Sequence, residues 1–161
     1  MDKKIDINNP YVGMDGYQCF GCSPDNEHGL QMKFFVEGDE LVSNWEPRGF
    51  MQGYHNVLHG GIQATLMDEI ASWFIQVRLG TAGVTSEMKV KYLKPVRVNQ
   101  GGIQLRARLK AQRDNLVDIY VSLFGPNGKL SAEADLTYFT YPVDVARKRL
   151  YFPEKEAFFK K

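Results

Sequence analysis

The densest set of chemistry-bearing residue types lies in one short run, His59-Gly60-Gly61 followed by Asp68. Two glycines at a helix start leave backbone N–H groups with no side chain above them, and a helix N-terminus carries about half a positive charge. That combination can bind an anion or polarise a carbonyl oxygen. Alone, the tripeptide reads equally well as a tight strand-to-helix turn. At about 100° per residue, Gly61, Thr65, Asp68 and Ser72 fall on one line of a helix. Three of these are small, so a second backbone or a slim ligand can approach, and Asp68 supplies a carboxylate in their midst. Asp68 is expected to be partly withdrawn from water there; the alternative is a solvated side chain on an exposed helix side. Glu69 lies about 100° further round, with Gln76 near its line, and is expected to face solvent or a neighbouring strand.

From His59 to Asp68 is over two helical turns, about 13 Å. One chain cannot bring both groups to a single carbonyl. A two-fold partner with antiparallel helices can bring Gly60 of one chain beside Asp68 of the other.

The surrounding pattern predicts the elements that position these residues. Ile62, Leu66, Ile70, Trp73 and Val77 step by 4, 4, 3 and 4, which predicts a helix over 60–79, with Gly80 as its stop. After Gly80-Thr81-Ala82-Gly83 the period changes to two. Val84–Val96 reads as a long strand with Val84, Met88, Val90 and Tyr92 on one side. Ile103–Ala111, Val117–Leu123 and Leu130–Tyr138 alternate as antiparallel strands with one wet face. Gly101-Gly102, Asp114-Asn115 and Gly125-Pro126-Asn127-Gly128 supply the turns. Ahead of the helix, Met32–Glu37 and Glu40–Trp45 read as strands around Gly38-Asp39. One helix cannot cover two sheets, so the sheet must curl around it, an α+β architecture. Residues 1–30 read as an irregular segment and 31–142 as the domain. Residues 143–161 read as a helical or loose extension lying across a neighbouring surface.

A chain of 161 residues suits one domain, and 43% hydrophobic residues can build its core without a staple or metal. Lys plus Arg is 20 against 19 for Asp plus Glu, a formal charge of +1. This supplies no footprint for nucleic acid and no polybasic membrane surface. No apolar run reaches the ~18–20 residues that span a bilayer. Met1-Asp2-Lys3-Lys4-Ile5-Asp6 lacks the apolar stretch of a secretory signal, so the expected location is cytoplasmic. Cys19 and Cys22 are then expected as reduced thiols. Their spacing could make half a zinc site or a redox pair. No second such pair exists, and His28, His55 and His59 lack ligand spacing. The preferred reading is a loop pair packing near the mouth of the barrel, with no metal and no cofactor.

The run Leu58-His59-Gly60-Gly61-Ile62-Gln63-Ala64-Thr65-Leu66-Met67-Asp68 resembles the signature of hotdog-fold acyl-CoA thioesterases, particularly the phenylacetate-pathway type. Gly83-Val84-Thr85 and Tyr92-Leu93-Lys94-Pro95 resemble its following strand, and Cys19–Leu30 resembles a segment common in that branch. The resemblance covers about residues 19–140. It implies a hotdog fold, hydrolysis of an acyl-CoA thioester to free acid and CoA, and a homo-oligomer, dimer or dimer of dimers. Asp68 matches the catalytic carboxylate, as general base or nucleophile, and Gly60 the backbone oxyanion donor. His59 matches the residue that holds the loop, and Thr85 a hydroxyl that orients water or the carboxylate. Gly61, Thr65, Asn56 and Ser72 are candidate substrate contacts. Some relatives carry Asn or Gln six residues before the His. Here that place is Gly53, with Asn56, His55 or Gln52 as possible substitutes. A non-catalytic acyl-CoA binding or regulatory protein and an enoyl-CoA hydratase or dehydratase are the alternatives. Trp45, Phe50, Tyr54 and Trp73 are expected in the core or the acyl-pocket wall. Lys94, Arg97, Arg106 and Arg108 are candidates for CoA phosphates, although Arg106 and Arg108 also read as an ordinary wet strand face.

Overall fold

Alternating residues bury one face of each strand, and these faces close around a single helix. The structure, a computed structural model, describes residues 2–159. Strands β1 (Lys4–Asp6), β2 (Phe35–Glu37) and β3 (Glu40–Trp45) precede helix α1 (Gly60–Phe74). Strands β4 (Gly83–Tyr92), β5 (Ile103–Arg113), β6 (Leu116–Phe124) and β7 (Leu130–Thr140) follow, and then helix α2 (Val143–Leu150). All pairings are antiparallel, in the order β1-β2-β3-β5-β6-β7-β4. This is the predicted α+β arrangement, a curved sheet wrapped around one long helix.

Ile103, Leu105 and Ala107, then Val117, Ile119, Val121 and Leu123, then Ala132, Ala134, Leu136 and Tyr138 are all buried. They meet a helix buried over more than one stripe. Leu66, Ile70, Trp73 and Val77 are joined by Gln63, Met67, Ala71 and Phe74, while Ile62 is only partly covered. At Ile75–Leu79 the helix widens into one π-type turn, and Gly80 stops it in the left-handed conformation, φ 70°.

Three boundaries differ from the sequence reading. Lys4–Asp6 is a strand inside the segment read as irregular. It is three exposed residues long, too short to display a period, and it joins the sheet by pairing with β2. The strand read at Met32–Glu37 is regular only over Phe35–Glu37, and β4 ends at Tyr92, short of Pro95, which has no N–H to give a ladder. The C-terminal extension lies across its own chain. Phe152 and Phe158 are buried, the Phe158 ring stands edge-on to Trp73 at 5.4 Å, and the Phe158 carbonyl accepts from the Asn8 amide at 2.7 Å. Lys155 Nζ donates to the Arg78 carbonyl at 3.0 Å, near the helix's negative end. Met1, Lys160 and Lys161, which the segment boundaries include, lie outside the described residues. No helix among the described residues is long and apolar enough to cross a membrane.

Strand β4 begins at a very close approach. Gly83 faces Thr140 of β7, and a Cβ built on it lies 2.9 Å from both the Phe139 carbonyl carbon and the Thr140 Cα. Backbone on both sides leaves nothing flexible to yield. Gly83→Ala is therefore expected to cost about 1–3 kcal/mol, the usual range for overpacking. A lower urea midpoint at unchanged slope in equilibrium unfolding is the expected result; an unchanged midpoint contradicts it.

Candidate active site

At the start of α1 the His59 backbone is extended (φ −55°, ψ 133°) while its carbonyl already accepts from Gln63 N–H at 3.1 Å. The His59 ring folds over the helix start, where Nδ1 accepts from Gly61 N–H at 2.8 Å. An accepting Nδ1 assigns the ring hydrogen to Nε2. A Cβ on Gly61 would sit 3.1 Å from that nitrogen, so a bare residue lets the ring close. Four amides at a helix start lack an intrahelical partner; this capping leaves those of Gly60 and Ile62 out. Tyr92 of β4 donates to the Gly60 carbonyl at 2.6 Å, anchoring the residue from the sheet.

The loop before α1 is held by two of the residues considered as substitutes for a water-positioning amide, Gln52 and Asn56. Gln52 Oε1 accepts from Asn56 N–H at 2.6 Å, and Asn56 Oδ1 accepts from Asn99 N–H at 3.3 Å. Gly53 lies against the motif histidine, and a Cβ there meets His59 Cδ2 at 3.3 Å. Asn56 thus holds the loop in this structure.

Two turns beyond Gly60, Asp68 is half-buried. Its Oδ1 accepts from Thr85 Oγ1 at 2.8 Å and closely from the Tyr138 hydroxyl, which also contacts the Asp68 carbonyl at 2.7 Å. Asp68 Oδ2 has no hydrogen-bond partner among the described residues. The convergence follows from register. Thr85 of β4 faces Tyr138 of β7 directly, and a bulge between Thr85 and Glu87 resets the pairing beyond them. Tyr138 is 1% exposed. Burial first, then the Asp68 charge beside it, pushes its phenol far above the usual range, so it acts only as a donor. In the sequence Tyr138 is one more apolar-face residue of an alternating strand. The available signal was a phenol on a buried face, which needs a polar partner.

The structure brings Asp68 and Thr85 together, and separately His59, Gly60 and Gly61. Thr65 turns its hydroxyl back to the Gly61 carbonyl at 2.9 Å, and with Gly61, His59 and Phe50 it lines a cleft of about 370 Å³. Ser72 lines a different cavity of about 740 Å³ with Cys19, Glu69 and Trp73. Lys94 borders a hollow with Gly60 and Tyr92.

Several expectations are corrected. Glu69 faces neither open solvent nor a strand. Its Oε1 accepts from Trp73 Nε1 at 3.0 Å and from the Cys19 thiol at 3.4 Å, against the N-terminal loop. Trp45 and Trp73 are core, but Phe50 and Tyr54 are 69% and 88% exposed, and of the two only Phe50 borders the cleft with His59 and Thr65; a loop rich in Gly and polar residues cannot bury them. Arg106 is engaged by Glu37 at 2.6 Å and Glu40 at 3.1 Å, and Arg108 lies 4.7 Å from the Tyr120 ring centroid. Both belong to a paired strand face.

A family description, the thioesterase superfamily, matches residues 55–132. A curated relative from Saccharolobus solfataricus, designated an esterase, is 29% identical over 86 residues, covering 53% of this chain and 56% of its own length. The chain thus spans little more than half of that relative. Zebrafish thioesterase superfamily member 2 is 25% identical, with 72% of this chain and 89% of that one covered and a TM-score of 0.62. A Streptococcus mutans protein solved with acetyl-CoA bound is 18% identical, covers 81% of this chain and 98% of its own, and superposes with a TM-score of 0.65; that likeness is one of fold. The matched segment carries both the His59-Gly60-Gly61 helix start and Asp68, inside a sheet wrapped around one helix; over that segment the chain is similar to the thioesterase superfamily, and it has the hotdog fold.

Proposed function

We propose that the protein is a cytoplasmic acyl-CoA thioesterase, active as a dimer or dimer of dimers, with Asp68 and the partner subunit's Gly60 at one thioester. The observation that carries this is the Asp68 carboxylate, half-buried, with Oδ1 fixed by two hydroxyls and Oδ2 unpartnered among the described residues. An oxygen held in that way can take a proton from water or attack the thioester carbon. The matching acceptor of charge is the Gly60 amide, outside the His59 capping bond and at the positive end of α1. Within one subunit the two groups lie two turns apart on one helix. The ten-residue edge strand β4, with Val84 and Tyr92 half-exposed, and the line of α1 on which Gly61 is exposed and Thr65 and Asp68 half-buried offer a face for a second copy. The ligand of the Streptococcus mutans relative supports CoA as the carrier. Lys94, beside Gly60, is the cation assigned to a CoA phosphate, and Gly61, Thr65 and Phe50 border the acyl cleft.

In hydrolysis, water attacks as Asp68 takes its proton, the carbonyl oxygen gains charge at the Gly60 amide, and the CoA thiolate leaves and is protonated. One oxyanion donor is typically worth ~10²–10³ in rate and one positioned base ~10²–10⁴. Asp68→Asn keeps the shape and removes the base. A panel of acyl-CoA substrates read by thiol release is expected to show a fall of at least ~10² in kcat with the fold intact. Full turnover by Asp68→Asn on a good substrate contradicts the assignment, and CoA binding without thiol release marks a binding module instead.

The Gly60 amide can be removed separately. Gly60 is the first helical residue, where proline is favoured, and the extended His59 before it suits a following proline. Gly60→Pro is expected to fold and to lose ~10²–10³ in kcat. Reassociating Asp68→Asn with Gly60→Pro subunits gives mixed dimers with one complete site, so about a quarter of wild-type activity returns. No recovery, with mixed dimers demonstrated, places both groups elsewhere.

Tyr138→Phe leaves the packing and deletes one donor to the carboxylate. A hydrogen bond to a charged group is worth about 1.5–3 kcal/mol, so kcat is expected to fall on the order of 10-fold with KM unchanged. A change confined to KM argues against a role in holding Asp68.

A further inference from the structure

Glu69 has no part in the chemistry assigned to Asp68, yet its position is as closely defined. Trp73 Nε1 donates to its Oε1 at 3.0 Å, and the Cys19 sulfur lies 3.4 Å from the same oxygen. Cys22 Sγ lies 2.9 Å from Cys19 Sγ, and the ligand atoms of Cys19, Cys22 and Glu69 all fall within 4.8 Å of one another. Gly21, between the cysteines, supplies a second and independent observation. A Cβ there would come within 2.5 Å of both Glu69 Cγ and Oε2, so the loop is shaped around this carboxylate. The loop backbone is pinned as well, by Cys19 O to Ser23 N at 3.1 Å, Phe20 O to Leu30 N at 2.7 Å and Gly21 O to Met32 N at 3.0 Å.

We propose that Cys19, Cys22 and Glu69 form a binding site for a thiophilic divalent cation of the Zn²⁺ class, separate from the hydrolytic site. Two sulfurs and one carboxylate oxygen form a donor set that zinc accepts in tetrahedral geometry. With Zn–S near 2.3 Å and Zn–O of about 2.0–2.2 Å, the tetrahedral S–O edge is about 3.5 Å and the S–S edge about 3.8 Å. The Cys19–Glu69 separation of 3.4 Å already fits. The sulfurs must part by somewhat less than 1 Å, a side-chain rotation. Binding displaces the thiol protons to solvent, leaving two thiolates and a carboxylate on the ion. The Trp73 indole then acts on the ion through Glu69, fixing which way the carboxylate points. Three protein ligands leave a fourth position. All three ligands line the cavity of about 740 Å³, so that position is open to water or a small Lewis base from the cavity. An ion here ties the segment around residue 20 to the middle of α1.

The test uses the full chain, reduced and stripped of metal, titrated with Co²⁺ and then with Zn²⁺. The expected result is one Co²⁺ per chain with thiolate-to-cobalt charge-transfer absorption, displaced by Zn²⁺, and a thermal midpoint that rises with Zn²⁺. Cys19→Ser and Cys22→Ser are expected to abolish the thiolate band, and Glu69→Gln to weaken binding at least ~10-fold. Trp73→Phe, which keeps a ring and loses the N–H, is expected to cost ~10–100-fold in affinity. The proposal is overturned by a reduced wild-type chain that takes up no Co²⁺, by equal affinity in Glu69→Gln, or by a thiol count showing that the two cysteines close a disulfide in reducing buffer. The wild-type titration decides on its own if a variant fails to fold.

Discussion

Burial of one helix by one sheet is the constraint on which everything else in this chain depends. Each fully buried large side chain of α1 is worth about 1.5–3 kcal/mol, and Leu66, Met67, Ile70, Trp73 and Phe74 are all in that state. A helix enclosed to this extent can carry polar groups only where the sheet fails to close. Two consecutive acids occupy two such gaps. Asp68 turns to the junction of β4 with β7, and Glu69, about 100° further round, turns to the N-terminal loop. Neighbours in sequence thereby acquire unrelated surroundings, one of hydroxyls and the other of sulfur and indole.

The Asp68 gap is stitched by Tyr138. A buried phenol without a partner costs on the order of 1–3 kcal/mol, and Asp68 removes that cost. In return the carboxylate gains a donor that burial and its own charge keep protonated. Thr85 arrives at the same oxygen because cross-strand partners point to the same face of a sheet. The bulge after Thr85 lets β4 continue beside β7 in a different register. One strand pair therefore does two things: it closes the wrapped sheet over the helix and loads a single carboxylate oxygen from above. The other oxygen is the one left for a reacting molecule.

What the sequence revealed depended on length of pattern and on distance along the chain. The helix over 60–79 and the strands from Ile103 to Thr140 repeat their periods often enough to be read directly. The separation of Gly60 from Asp68 was legible too, because helical rise is fixed and forbids a one-chain site. The three residues of β1 carry no period. Glu69 was misread because one of its two partners, Cys19, comes from a loop 50 residues upstream, and helical angle alone says which way a side chain leaves, never what it meets. Tyr138 had the same problem at a separation of 70. Phe50 and Tyr54 were assigned by type to the core or the acyl-pocket wall, whereas the loop that carries them leaves both mostly exposed, Phe50 at the edge of the cleft with His59 and Thr65.

The superfamily match runs over 55–132, and both ends of the chain lie outside it. Those ends meet each other: Asn8 N–H donates to the Phe158 carbonyl, and Tyr11, Phe34 and Phe158 all pack on the Trp73 ring. Trp73 is therefore shared. Its ring is the centre of the aromatic cluster that seals the termini onto α1, and its N–H fixes Glu69. One rigid indole thus touches both the terminal aromatic cluster and the Glu69 carboxylate. By the reciprocity of linkage, any coupling that Trp73 carries between the Cys19, Cys22 and Glu69 cluster and the packing of Tyr11 and Phe158 acts with equal free energy in both directions. Trp73, on the side of the helix away from the Asp68 hydroxyl pair, is thus one of the joins between the terminal segments and the shared hotdog framework, beside the Lys155 bond to Arg78 and the pairing of β1 with β2.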